Sequence, residues 1–120
     1  MQQNAAAQLF AVIYRFEVWR GGDRQLVTEE QVPASTLGML VPQLNAVAKR
    51  SRVDAAPGLL VFDNFPQARQ AAQTLASIAS RVRLCEVAAG AASGAGEAWQ
   101  ASGGATYRAV PGGVSIQVKA

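Results

Sequence analysis

The sequence predicts an α+β fold: a single mixed β-sheet with two helices packed on it, in the order β-β-α-β-α-β-β-β, with hairpins at both ends. Three features lead to it. Residues 9–20 alternate in polarity with a period of two. Two later stretches, 37–52 and 66–82, repeat apolar residues at helical spacing. Between them lies a short continuous apolar run, Leu59-Leu60-Val61-Phe62.

In the first strand Phe10, Val12, Tyr14, Phe16 and Val18 fall on one face, while Ala11, Ile13, Arg15, Glu17 and Trp19 share the other. Gly21-Gly22-Asp23 is a turn, because glycine reaches positive φ without steric cost. Gln25 to Val32 then reads as the return strand of a hairpin. Pro33 breaks the chain, and Ser35 and Thr36 offer hydroxyl caps to a helix over Leu37 to Arg52. Pro42 lacks the amide for an internal bond, so it kinks that helix or starts its regular part. After the turn Ala55-Ala56-Pro57-Gly58, the run Leu59 to Phe62 has the composition of a strand covered on both faces. Asp63-Asn64 caps the second helix, Pro66 falls in its first turn, and Ala68, Ala71, Ala72, Leu75, Ile78, Ala79 and Val82 form its apolar stripe. Arg83 to Ala88 is a further strand.

Residues 88–105 are biased: 15 of these 18 are Ala, Gly or Ser, with Glu97, Trp99 and Gln100 the exceptions. Such a stretch buries little per residue and loses much entropy on ordering, so it reads as a flexible loop anchored by Trp99. Thr106 to Val110, the turn Pro111-Gly112-Gly113 and Val114 to Lys119 make the closing hairpin. Helices between the central strands imply right-handed crossovers and local parallel pairing.

With 120 residues, half of them hydrophobic, the chain is expected to be a single domain, 1–120, with one core and no need of staples. It has one cysteine, Cys85, and no histidine. An internal disulfide, a Cys/His zinc site and a histidine-activated nucleophile are therefore excluded within the chain. No metal or cofactor is called for. The net charge is +3, with nine Arg against two Lys, which permits an acidic partner without demanding one. The start has no basic region before its apolar residues, and no apolar run approaches the roughly 18 residues of a membrane span. A cytoplasmic protein without membrane contact is the expectation.

The candidate reactive groups have simple structural readings. Cys85, between Leu84 and Glu86, reads as a small buried hydrophobe. Glu29 and Glu30, adjacent in a strand, would point to opposite faces. The pairs Gly21-Gly22, Gly103-Gly104 and Gly112-Gly113 lack phosphate-loop spacing. The densest basic cluster, Lys49-Arg50-Ser51-Arg52, ends the first helix, and Arg81 and Arg83 end the second, where cations complement the helix dipole. Should both ends lie at one edge, Lys49, Arg50, Arg52, Arg81 and Arg83 would form a nucleic-acid-binding patch.

Pro57-Gly58-Leu59-Leu60-Val61-Phe62, the helix from Pro66 through Ala68 to Ala72, and Arg83-Leu84-Cys85-Glu86-Val87 together resemble small ADP-ribosyltransferase-like domains. The resemblance implies an arginine on an early strand and a late catalytic glutamate, places that Arg15 and Glu86 would fill. The chain departs from that pattern elsewhere: Ser35-Thr36 runs into Leu37, and no Glu-x-Glu or Gln-x-Glu occurs.

The leftover polar residues do not converge on a reaction centre. The favoured expectation is a non-enzymatic interaction or assembly protein, such as a bacterial or phage assembly component, acting on a protein partner or by self-association. Its hairpins offer strand edges, and Trp99 and Trp19 are the interface anchors. A weakly basic nucleic-acid-binding module and a reduced ADP-ribosyltransferase-like domain are the alternatives.

Overall fold

A computed structural model describes residues 8–48, 52–89, 97–101, 103–110 and 113–118. Among them are β1 (Leu9–Arg20), β2 (Asp23–Val27), a 3-10 turn (Glu29–Gln31), α1 (Ala34–Ala48), β3 (Arg52–Ala56), β4 (Leu59–Phe62), α2 (Phe65–Ala76), β5 (Arg81–Ala89), β6 (Ala98–Gln100), β7 (Ala105–Val110) and β8 (Gly113–Val118). The α+β class and the mixed sheet with two helices agree with the sequence. The element order differs, because β3 and β6 are additional strands.

Several boundaries move for local reasons. Pairing of β2 stops at Val27, opposite Phe16. Glu29 and Glu30 then lie in the 3-10 turn rather than in a strand, and Thr28 N donates to the Gln31 side chain across it (3.1 Å). The first helix starts three residues early, at Ala34, because Thr36 N and Leu37 N both donate to Pro33 O (2.9 Å each). Ser35 and Thr36 therefore sit inside its first turn instead of capping it. The same helix ends at Ala48, and Arg52 opens β3. Pro42 lies within α1. In the Ala/Gly/Ser-rich stretch, Ala89 completes β5 and Ala98–Gln100 is a strand; residues 90–96 and 102 lie outside the described residues, as do Lys49, Arg50, Pro111, Gly112 and Lys119.

The strands lie side by side in the order β3-β4-β1-β5-β8-β7-β6, with β2 also paired to β1. β1 is antiparallel to both β4 and β5, and among the described strands β5–β8 is the parallel pair. The expected parallel pairing across α2 is thus corrected. β4 and β5 do run in the same direction, but the crossover through α2 steps over β1, which occupies the place between them. The terminal hairpin is likewise larger than expected, a meander of β6, β7 and β8.

The sheet buries both faces, which explains why Leu59, Leu60, Val61 and Phe62 are all buried. Val12, Tyr14, Phe16, Leu60 and Phe62 pack against Val47 of α1 and Ala68, Ala71 and Leu75 of α2. On the other face Ala11, Leu59 and Val61 meet Trp99, Tyr107 and Val114 from the meander. The sheet curls over that second core until β3, at one end of the strand order, touches β7 near the other. It is close to a barrel.

Candidate functional site

Two surfaces stand out on the curled sheet: an arm and a seam. The arm exists because β1 outlasts its neighbours. β4 covers Phe10 to Ile13 and β5 covers Leu9 to Arg15, while Phe16 to Arg20 pair with β2 alone. Gly21 and Gly22 both take positive φ (60° and 86°), as a two-residue turn between right-twisted strands requires. Arg20 and Asp23 close that turn, so Phe16, Val18 and Arg20 direct their backbone groups at β2. Glu17 and Trp19 direct theirs outward, where no described strand lies. The register puts Glu17 beside Leu26 and Trp19 beside Arg24 on one face. Trp19 is 67 % exposed and Leu26 43 %. The Arg24 guanidinium sits 5.4 Å from the Trp19 ring centroid, with Glu17 3.8 Å from its Nη1.

The seam is closed by one carboxylate. Asp54 of β3 is buried, and its Oδ1 accepts from Ala55 N and Gly103 N (2.9 Å each) while its Oδ2 accepts from Tyr107 Oη (3.1 Å). Burial raises the Tyr107 phenol above its ordinary range, and the adjacent carboxylate raises it further. Along the same seam, a cleft of about 330 Å³ lies between β6 and the β3–β4 turn; Glu30, Pro57, Glu97, Ala98, Trp99 and Gln100 are among its walls. Arg15 reaches from β1 to form an ion pair with Glu97. Burial lowers the Arg15 guanidinium from its usual range. Its Nη1 and the Trp99 Nε1 are buried without a hydrogen-bond partner among the described residues.

A second cleft, about 260 Å³, holds Tyr14, Glu29, Asn45 and Arg52 on the helix side of Pro57. Tyr14 Oη donates to Glu29 (2.6 Å), and burial first, then this bond, pushes the phenol up. A phenol so held stays protonated and makes a poor base or nucleophile. Among the described residues no three Asp, Glu, Cys or His side chains gather as a metal site. No described helix is long and apolar enough to cross a membrane.

The residues singled out from sequence are scattered. Arg81 and Arg83 belong to β5 rather than to the end of α2, opposite Arg15 and Ile13 respectively. Arg52 lies on β3, with β4 and β1 intervening. Lys49 and Arg50 fall outside the described residues. Arg15 and Glu86 do not meet: Arg15 sits opposite Arg81 on the face of the second core, whereas Glu86 sits opposite Phe10 on the helix face and accepts from Gln8. Trp99 is 5 % exposed, a core residue, while Trp19 is free at the surface. Cys85 is half-buried with Sγ 3.8 Å from Ala11 O; burial raises its thiol and Arg83 partly offsets this. Asp54 and Tyr107 escaped notice in the sequence. The available signal was a lone acid in an otherwise apolar Val53-Asp54-Ala55-Ala56 run, which must find donors wherever it is buried.

No protein-family model matches this chain, and no curated protein or solved structure matches it.

Proposed function

We propose that this chain is a non-enzymatic interaction or assembly protein working through protein–protein contacts, with the β1–β2 arm as its contact surface. One observation carries the reading: Trp19 stands exposed on an arm whose outer backbone edge, at Glu17 and Trp19, has no described strand beside it. Natural sheets commonly blunt such an edge with proline, a bulge or a covering loop. None of these guards the described face; a charge, the other common guard, is present at Glu17, where it lies 3.8 Å from Arg24, and Arg24 braces the indole instead of hiding it. A tryptophan anchor beside backbone groups that no described strand pairs supplies both halves of strand-mediated recognition, apolar burial and directional hydrogen bonds.

Sedimentation over a range of concentrations tests this with the full chain and Trp19→Ser. The expected result is association of the wild type, weakened at least ~10-fold by the substitution, about 1.4 kcal/mol, with the circular dichroism unchanged. A chain that stays at 12.6 kDa throughout, and captures the same proteins with and without Trp19, overturns the reading.

A further inference from the structure

The seam cleft has properties that the arm does not explain. β6 is an edge strand whose described partner is β7, with Trp99 opposite Tyr107. Ala109 N donates to Glu97 O (2.7 Å) and Ala101 N to Ala105 O (3.0 Å), so residues 97, 99 and 101 turn their backbone groups toward β7. Ala98 and Gln100 must then turn theirs away from it. Both are exposed and both line the cleft. The facing wall is formed by Ala56 and Pro57. Proline has no N–H to offer, so this wall cannot complete a ladder with β6, and the Asp54 clasp joins the two sides elsewhere along the seam.

A second observation concerns donors. Trp99 is one of the residues lining the cleft, and its buried Nε1 has no hydrogen-bond partner among the described residues. A buried donor left unsatisfied is costly, and it marks this wall as one the fold has not completed by itself. A third concerns charge. Glu30 and Glu97 are the charged residues of the lining, and Arg15 pairs with Glu97 from behind. Glu30 is left to give the exposed lip its negative sign.

From these we infer that the cleft is a strand-addition site for an extended basic peptide segment, which pairs with the outward backbone groups of Ala98 and Gln100 and directs a Lys or Arg side chain at Glu30. Side chains on one face of an added strand recur at every second residue, so the selected pattern is a cation alternating with small apolar residues. This site is separate from the arm and stands whether or not the arm mediates association.

Two capped peptides, one alternating valine with lysine and one alternating valine with glutamate, are titrated into the isotope-labelled full chain and followed by amide and indole resonances. The lysine peptide is expected to shift the Trp99 indole N–H and the Ala98 and Gln100 amides, and to bind at least ~10-fold tighter than the glutamate peptide. Gln100→Pro removes an outward N–H while leaving the ladder to β7 intact, and is expected to weaken binding ~10-fold. Glu30→Lys, on the exposed lip, keeps the backbone site and reverses the preference between peptides, which serves should the proline variant misfold. Trp19→Ser binds the lysine peptide as the wild type does. Equal affinity for the two peptides, no shift at Ala98 and Gln100, or shifts confined to β1 and β2, would each overturn the inference.

Discussion

Asp54 is a carboxylate taken out of water, and what makes that tolerable is its set of donors. Two backbone amides and one phenol converge on its two oxygens, and hydrogen bonds to a charged acceptor are the stronger kind. The donors from Gly103 and Tyr107 come from 49 and 53 residues away, which is why a reading of neighbours along the chain passed over Asp54. The two partners of the clasp are not equivalent. Tyr107→Phe removes one donor and leaves the carboxylate with its amides, so it should cost ~1–2 kcal/mol. Asp54→Ala strands the Gly103 amide and the Tyr107 hydroxyl together, and should cost ~2–4 kcal/mol. Urea unfolding measures both as a fall in midpoint at unchanged slope. Equal, small losses would mean that the seam does not depend on this carboxylate.

At the scale of elements, α2 shows how a local signal becomes a structure. Asn64 Oδ1 accepts from Gln67 N (2.9 Å), Pro66 follows in the first turn, and Phe65 packs edge-on against Phe10 of β1 with centroids 5.4 Å apart. Asp63 is the weaker neighbour, its Oδ1 accepting from Asn64 Nδ2 at 3.3 Å. Asn64→Ala should therefore lower stability by ~1 kcal/mol, and Asp63→Ala by much less, in parallel thermal melts. The sequence named both residues together and could not choose, because either side chain suits an N-cap. The same division runs through the fold. β1, β4, α2 and the β7–β8 hairpin were legible because alternation, apolar continuity, a cap and a glycine turn are all local. β3 was hidden because Val47 and Ala48 continue a helical spacing into residues that instead pair with β4. β6 was hidden because nothing in an Ala/Gly/Ser stretch favours a strand; Trp99 makes one by burying itself opposite Tyr107. Of the two candidate surfaces, Trp19 was visible as an aromatic residue beside a turn. The cleft was not, since its walls come from the 3-10 turn after β2, the β3–β4 turn and the last meander.

For the molecule as a whole, the question is whether the two cores on either side of the sheet behave as one. The chain has two tyrosines, and the fold places one in each core: Tyr14 beneath the helices and Tyr107 beneath the meander. Both phenols are raised, in each case by burial first and by a neighbouring carboxylate after it. An unfolded tyrosine loses its proton near pH 10 while the folded one keeps it. The unfolded state then binds fewer protons than the folded state, so stability is intact below about pH 10 and falls as pH rises beyond it toward the folded values. Tyrosinate absorbance should consequently stay absent until the protein unfolds, and then appear in a single step together with the loss of far-ultraviolet circular dichroism. Tyr107→Phe should halve that step and flatten the pH dependence of stability above about pH 10, because Tyr14 alone then drives it. If instead one phenol ionises while the circular dichroism is still native, its core opens independently. Loss of the seam ahead of the helix-side core would make the β6 edge, and the cleft it borders, the part of this sheet that opens first.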